Sequence, residues 1–163
     1  MNVISLIRRD DGIAEMEALG AEHVLSTESD GWVARVPEIS GGAPIKGAID
    51  SVSGPTASPL ASVLAPGGLF LSFGAMSGKP IVLDPGKLIF GDITVRGFWG
   101  AKWIERASSA DKLRVLGEVI RLVQDGTIKL GIEAEYDLAD VREAVTRSDQ
   151  SGRAGKVLLT AAA

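Results

Sequence analysis

Two adjacent arginines, Arg8 and Arg9, with Asp10 behind them, follow directly on a short apolar run at residues 3–7. A guanidinium pair at the end of a buried strand suits a phosphate dianion, which it can hold through bidentate hydrogen bonds. In a dinucleotide-binding sheet this is where arginine accommodates a 2′-phosphate in place of the carboxylate that holds a ribose. The same pair reads equally well as solvated surface. Further along, Gly74, Ala75 and Met76 follow the apolar strand that ends at Phe73, and small residues there either let a flat ligand approach the backbone or simply turn the chain. Phe98 and Trp99 follow a strand ending at Gly97, with Trp103 one helical turn on. Such aromatics either wall a cofactor ring or pack into a core. Lys156, at the last strand, is a phosphate contact or a surface lysine.

Other chemistries are excluded by what is missing. The sequence has no cysteine and one histidine, His23, so disulfides, cysteine–zinc sites and multi-histidine metal sites are ruled out. His23 itself reads as a strand-edge residue in a turn. No G-x-S-x-G, P-loop, H-E-x-x-H or G-x-G-x-x-G pattern occurs, and no carboxylate pair has a spacing that suggests acid–base work. A net charge of −4, a pI near 5.0 and the lack of a basic aromatic stripe argue against a nucleic-acid surface. No apolar run approaches the roughly 18–20 residues that span a bilayer. The N-terminus places its apolar stretch before its arginines, the reverse of a secretory signal. A soluble, cytoplasmic protein without membrane partners is expected.

The elements that must position these residues follow from periodicity. At 163 residues the chain can bury a core, and aromatics at 5% with 20 glycines suit close helix–sheet packing. Strands are expected at 3–7, 23–25, 45–52, 69–73, 93–99, 132–136 and 156–160. Between them come a helix carrying Ile13, Met16 and Leu19 and closed by Gly20, a helical spacing at 31–39 that Pro37 interrupts, and a third helix at 56–65 stopped by Pro66-Gly67-Gly68. A Pro- and Gly-rich loop is expected through Leu88-Ile89-Phe90. The longest helix starts at Ser108-Ser109-Ala110-Asp111, a capping-box-like signal, carries Leu113, Leu116, Ile120 and Val123, and ends at Asp125-Gly126. A last helix is expected at 138–147. Strands alternating with helices imply βαβ units and a parallel, doubly wound α/β sheet, whose ligands sit at the C-terminal strand ends.

In order, the segments Ser5-Leu6-Ile7-Arg8-Arg9-Asp10, Leu19-Gly20-Ala21-Glu22-His23-Val24, Gly67-Gly68-Leu69-Phe70-Leu71-Ser72-Phe73-Gly74-Ala75-Met76, Leu88-Ile89-Phe90-Gly91-Asp92, Arg96-Gly97-Phe98-Trp99 and Gly155-Lys156-Val157-Leu158 resemble the medium-chain dehydrogenase/reductases. They are most similar to the second, nucleotide-binding half of the zinc-free trans-2-enoyl-thioester reductases of mitochondrial type, with quinone-oxidoreductase-like members next. The resemblance implies NADPH as cofactor and hydride delivery to the β-carbon of an unsaturated acyl thioester. It implies Arg8, Arg9 and Asp10 around the 2′-phosphate, and Phe73, Gly74, Ala75, Met76, Phe98, Trp99, Gly100 and Ala101 along the nicotinamide end. Lys156 would reach the cofactor from the tail. No catalytic residue is carried over, because the family's tyrosine is absent and Tyr136 lies in the wrong segment to replace it.

The resemblance also implies a Rossmann-like sheet that is incomplete. Met1 falls at the start of the second strand, so the first strand and its glycine-rich, pyrophosphate-binding loop are missing. Residues 1–127 are expected to form this partial domain, and 128–163 a return segment packing on an absent catalytic domain. Losing the central strand leaves two facing edges to be filled by another chain, a rearranged sheet or dimer pairing. Weak or no NADPH binding by the chain alone is therefore expected. The leading expectation is an NADPH-dependent oxidoreductase fragment or subunit, acting on a small-molecule substrate only when completed, as a homodimer or paired with the missing half. The alternative is a non-catalytic dimerising domain.

Overall fold

A short apolar run turns into an acidic, helix-favouring stretch at Asp10-Asp11, and the first parallel pair forms around it. In the computed structural model, which describes residues 2–29, 31–150, 152–153 and 155–161, β1 (Ser5–Ile7) leads through α1 (Ile13–Ala18) to β2 (Val24–Ser26). The two strands are parallel, with Ser5 opposite Val24 and Ile7 opposite Ser26. Gly20 takes φ 99°, which closes the helix end as its residue type suggests.

Pro37 does not prevent a helix. α2 (Trp32–Ile39) runs through it and buries Trp32 and Val36. The ring removes one backbone donor two residues before the helix ends, and the tail is rebuilt by Ser40 N–H donating to Val36 O and Gly42 N–H to Pro37 O, both at 2.9 Å. Trp32, Val36 and Leu25 form one core cluster, with Ile4, Leu6 and Ile39 against it.

The second cluster lies under β3 (Ile45–Asp50), β4 (Leu64–Ser72) and β5 (Thr94–Gly97), a three-stranded parallel sheet in the order β3-β4-β5. The helix expected at 56–65 is shorter: α3 (Ala57–Ser62) stops early because Leu64, 2% exposed, already pairs with Ile45 as the first residue of β4. Pro66-Gly67-Gly68 is then an irregularity inside β4. Leu64 faces Ile45 and Leu69 faces Gly47, with Gly67 at φ 74° and a Cβ on Gly68 only 2.8 Å from Ala65 O. The expected loop through Leu88-Ile89-Phe90 is helical instead, as α4 (Pro85–Phe90). Asp84 caps it by accepting from Gly86 N–H at 2.9 Å, and Pro85 takes the first turn.

The backbone divides into two units, Met1–Glu105 and Arg106–Ala163. After α5 (Gly100–Arg106), the second unit opens with α6 (Ser109–Gln124), where Ser108 Oγ accepts from Asp111 N–H at 3.1 Å as its sequence signal implies. The parallel pair β6 (Ile132–Asp137) and β7 (Lys156–Thr160) is joined through α7 (Val141–Asp149). Arg147 on α7 pairs with Glu133 on β6, whose side chain is 15% exposed. Half-buried pairs lie between the exposed and buried limits, so Glu133→Gln is expected to lower the unfolding free energy by about 1–3 kcal/mol in a urea titration. An unchanged midpoint would show the pair to be energetically idle.

This is a Rossmann-like, doubly wound α/β architecture built from parallel strands. Among the described residues no strand joins β1 to β3, so the first unit carries the pair β1-β2 and the triplet β3-β4-β5 as separate sheets. No described helix is long and apolar enough to cross a membrane.

Candidate functional site

In such a sheet the crevice lies at the C-terminal strand ends, and three loops meet there in the first unit. The turn after β3 runs Ser51-Val52-Ser53-Gly54, that after β4 runs Phe73-Gly74-Ala75-Met76-Ser77, and Phe98 and Trp99 follow β5. They are tied by backbone bonds. Phe73 N–H donates to Asp50 O at 2.9 Å, Met76 N–H to Ser51 O at 3.2 Å, Ser77 N–H to Val52 O at 2.9 Å and Phe98 N–H to Ser72 O at 2.8 Å. The expected residues at 73–76 and 98–101 therefore stand on neighbouring strand ends.

Gly74 is needed for a reason different from ligand approach. A Cβ there would lie 2.6 Å from Ser51 O, so the glycine lets the two loops close on each other. The aromatics are not core residues: Phe73 is 52% exposed, Phe98 45% and Trp99 66%. Met76 is exposed as well, and Lys102 Nζ covers one side of the Trp99 ring at 5.4 Å from its centroid. Gly100 and Ala101 open α5 beside them.

The sequence places a small-residue turn at Ser53-Gly54-Pro55 after a strand ending at Val52; β3 ends at Asp50, and the loop it opens holds residues that were not among the candidates. Asp50 is buried and its carboxylate accepts from Val52 N–H at 2.9 Å and Ser53 N–H at 3.1 Å. Ser53, also buried, sits at φ 65°, ψ −169°, a region that glycine alone adopts without strain, and its hydroxyl donates to Gly74 O at 2.9 Å. The available signal was a strand ending in Asp50 followed by Ser-Val-Ser-Gly-Pro, an Asx-type turn with a glycine behind it. Relief of the strain offsets the lost hydrogen bond in Ser53→Gly, which is expected to be at least as stable as the wild type. Ser53→Ala keeps the strain and loses the bond, and should be about 1 kcal/mol less stable in chemical denaturation. The reverse ranking would refute the strain.

The arginines follow β1. Arg8 is exposed and makes no hydrogen bond or ion pair among the described residues. Arg9 Nε donates to Asp11 Oδ1 at 3.1 Å, both groups being largely solvated. Asp10 is engaged elsewhere: its carboxylate accepts from Ser29 Oγ at 2.9 and 3.1 Å, tying the turn after β1 to that after β2. Lys156 opens β7 in the second unit, with its side chain exposed. Tyr136 lies on β6 of the same unit.

In the first unit these groups fall at two sets of strand ends. An unpaired guanidinium and a weakly paired one face solvent after β1, and exposed ring faces line the ends of β4 and β5. Between them the sequence supplies no glycine-rich loop for a pyrophosphate.

The geometry defines a Rossmann-like type of α/β fold, and comparison with known proteins places it more closely. Residues 1–114 match the family described as zinc-binding dehydrogenase. The chain belongs to that family, within the medium-chain dehydrogenase/reductases. The mitochondrial enoyl-[acyl-carrier-protein] reductase of Dictyostelium discoideum is 31% identical over 92% of this chain and 43% of its own length. An NADPH quinone oxidoreductase of Kluyveromyces marxianus is 31% identical over 78% of this chain and 36% of its own. The solved structure of a mutant enoyl thioester reductase from Candida tropicalis superposes with a TM-score of 0.80 at 26% identity, covering 98% of this chain and 47% of that one. The chain thus spans less than half the length of these relatives. The zinc in the family's description has no cysteine to bind here, and only His23 among histidines.

Proposed function

We infer that this chain supplies the cofactor-side half of an NADPH-dependent oxidoreductase, whose completed form reduces an enoyl thioester or a quinone-like acceptor. The similarity over nearly the whole chain to enoyl reductases carries this reading, and the NADPH quinone oxidoreductase supports the cofactor. In this reading Arg8 and Arg9 hold the 2′-phosphate through charge-assisted hydrogen bonds. Asp10 braces the arginine turn through Ser29 instead of touching the ribose. Phe73, Gly74, Ala75 and Met76, with Phe98, Trp99, Gly100 and Ala101, border the nicotinamide ring and keep water from it. NADPH bound there supplies a hydride for the β-carbon of the acceptor. The proton for the neighbouring carbon, and the pocket that selects the acceptor, belong to the other part of the enzyme.

The experiment is to co-express the chain with the part of the Dictyostelium relative that it does not match, and to follow NADPH absorbance with crotonyl thioester and with a quinone. NADPH consumption with one acceptor, absent from either part alone, is the expected result. A stable complex that oxidises NADPH with neither acceptor would overturn the reading.

A homodimer through β5 is part of the proposal. All four residues of this strand are exposed, and among the described residues its outer edge is unpaired. Sedimentation should show a dimer that Val95→Pro dissociates.

A further inference from the structure

Two turns leave the same end of the β1–β2 pair. Ile7 stands opposite Ser26, and Thr27 N–H donates to Ile7 O at 2.8 Å, so the residues after each strand emerge side by side. The carboxylates described in these turns, Asp10, Asp11 and Glu28, outnumber the arginines Arg8 and Arg9. Free carboxylates there would oppose a dianion, by repelling it or by occupying the guanidinium groups. The structure ties each of them down. Asp11 Oδ1 accepts from Arg9 Nε at 3.1 Å, and Glu28 Oε2 accepts from Asp10 N–H at 3.4 Å. Asp10 accepts from Ser29 Oγ with both oxygens, at 2.9 and 3.1 Å. Among the described residues its carboxylate pairs with neither arginine, although Arg9 is its chain neighbour. Ser29 is the better anchored partner. It is half-buried where Asp10 is exposed, and its turn is fixed by Glu28 N–H donating to the buried Ser26 Oγ at 3.2 Å.

An exposed carboxylate beside two guanidinium groups has two uses once it is released. It can pair with Arg8 or Arg9 and so occupy the donors offered to a phosphate. It can also accept from a ribose 2′-hydroxyl, which is how a carboxylate at this strand end selects the unphosphorylated cofactor. Each use works against a 2′-phosphate, and preference is the difference between the two affinities. We propose that Ser29 is a positioning residue that sets the cofactor preference of this turn. By holding Asp10 on the turn after β2, its hydroxyl keeps both arginines open to the 2′-phosphate and denies a ribose hydroxyl its acceptor. Ser29 touches no part of the cofactor in this role and acts through Asp10 alone. A hydroxyl that merely closed the turn would support a phosphorylated and an unphosphorylated ligand equally.

The inference rests on the reading of Arg8 and Arg9 as the 2′-phosphate site, and its test keeps the two apart. Adenosine 2′,5′-bisphosphate and adenosine 5′-monophosphate are titrated into the 163-residue chain and its variants, and the ratio of their affinities is read from amide shifts. Ser29→Ala is expected to lower the bisphosphate preference by roughly three- to fivefold, the size of one exposed ionic contact. Ser29→Thr keeps the hydroxyl and should retain the wild-type ratio. With Asp10→Ala already in place, Ser29→Ala should change nothing further, because the carboxylate it acts through is gone. A wild type that prefers the bisphosphate, with a ratio unmoved by Ser29→Ala, would overturn this proposal and leave the arginine reading standing. So would an equal fall in both affinities, or a fall in the ratio that persists in the Asp10→Ala background. A wild type that binds the two nucleotides alike would remove the arginine reading, and the role of Ser29 with it.

Discussion

Phe70→Ala is expected to lower the unfolding free energy by about 3–5 kcal/mol. Phe70 has no exposed surface and stands in the middle of β4, packed with Ala48, Ala57, Ala61, Leu64 and Ile93. Two of these neighbours are alanines of α3, which bring the helix close to the sheet and leave no long side chain to fill the hole. Truncating the ring removes its burial and creates a cavity whose walls cannot collapse. Against a total stability of about 5–15 kcal/mol for an ordinary domain, the loss would leave the first unit close to its unfolding midpoint. Leu113→Ala on α6 is the control. At 74% exposure its change should stay within about 0.5 kcal/mol. A urea titration in which Phe70→Ala loses less than Leu113→Ala would show that the core is wrongly located.

The second large effect concerns cofactor choice. In the completed enzyme, Arg8→Ala with Arg9→Ala should erase the preference for NADPH over NADH. Each lost charge-assisted bond to phosphate is worth about 1.5–3 kcal/mol, or roughly ten- to hundredfold in kcat/KM. Arg8 should account for the larger share. It has no protein partner to give up, whereas Arg9 must exchange its solvated contact with Asp11, itself worth about 1 kcal/mol or less. The loss should appear with NADPH and leave NADH turnover nearly unaltered. An unchanged ratio would remove the 2′-phosphate assignment from these residues.

Much of this was legible in the sequence where local chemistry and tertiary packing agree. Ser108 and Asp111 announced the start of α6, and the run from Lys156 to Thr160 gave the last strand to the residue. The strand-end positions of Arg8, Phe73 and Phe98 followed from alternation of strands with helices. The misreadings arose where a strong local signal met a stronger neighbour. Pro37 suggested a break, but burial of Trp32 and Val36 holds the helix together around it. Pro66-Gly67-Gly68 suggested the end of a helix, yet Leu64 was already drawn into the sheet. Asp84-Pro85 was a readable helix start, hidden by surrounding loop residues. The strained Ser53 was beyond reach, because its backbone angle is imposed by Gly74 and Asp50, which are distant or buried partners in the fold. Exposure of Phe98 and Trp99 likewise could not be read from residue type.

The arginine turn after β1 is proposed to hold a 2′-phosphate, and this can be tested on the chain as it stands. Adenosine 2′,5′-bisphosphate and adenosine 5′-monophosphate share the adenosine and differ at the 2′-phosphate, so neither needs a nicotinamide site or a glycine-rich loop. Titrating each into the isotope-labelled 17.0 kDa chain and following amide and guanidinium resonances resolves even weak binding. The expected result is saturable shifts at Arg8, Arg9 and the Glu28–Ser29 turn with the bisphosphate alone, fading as salt screens the phosphate contact. Equal shifts with both nucleotides, or shifts that bypass Arg8 and Arg9, would contradict the account.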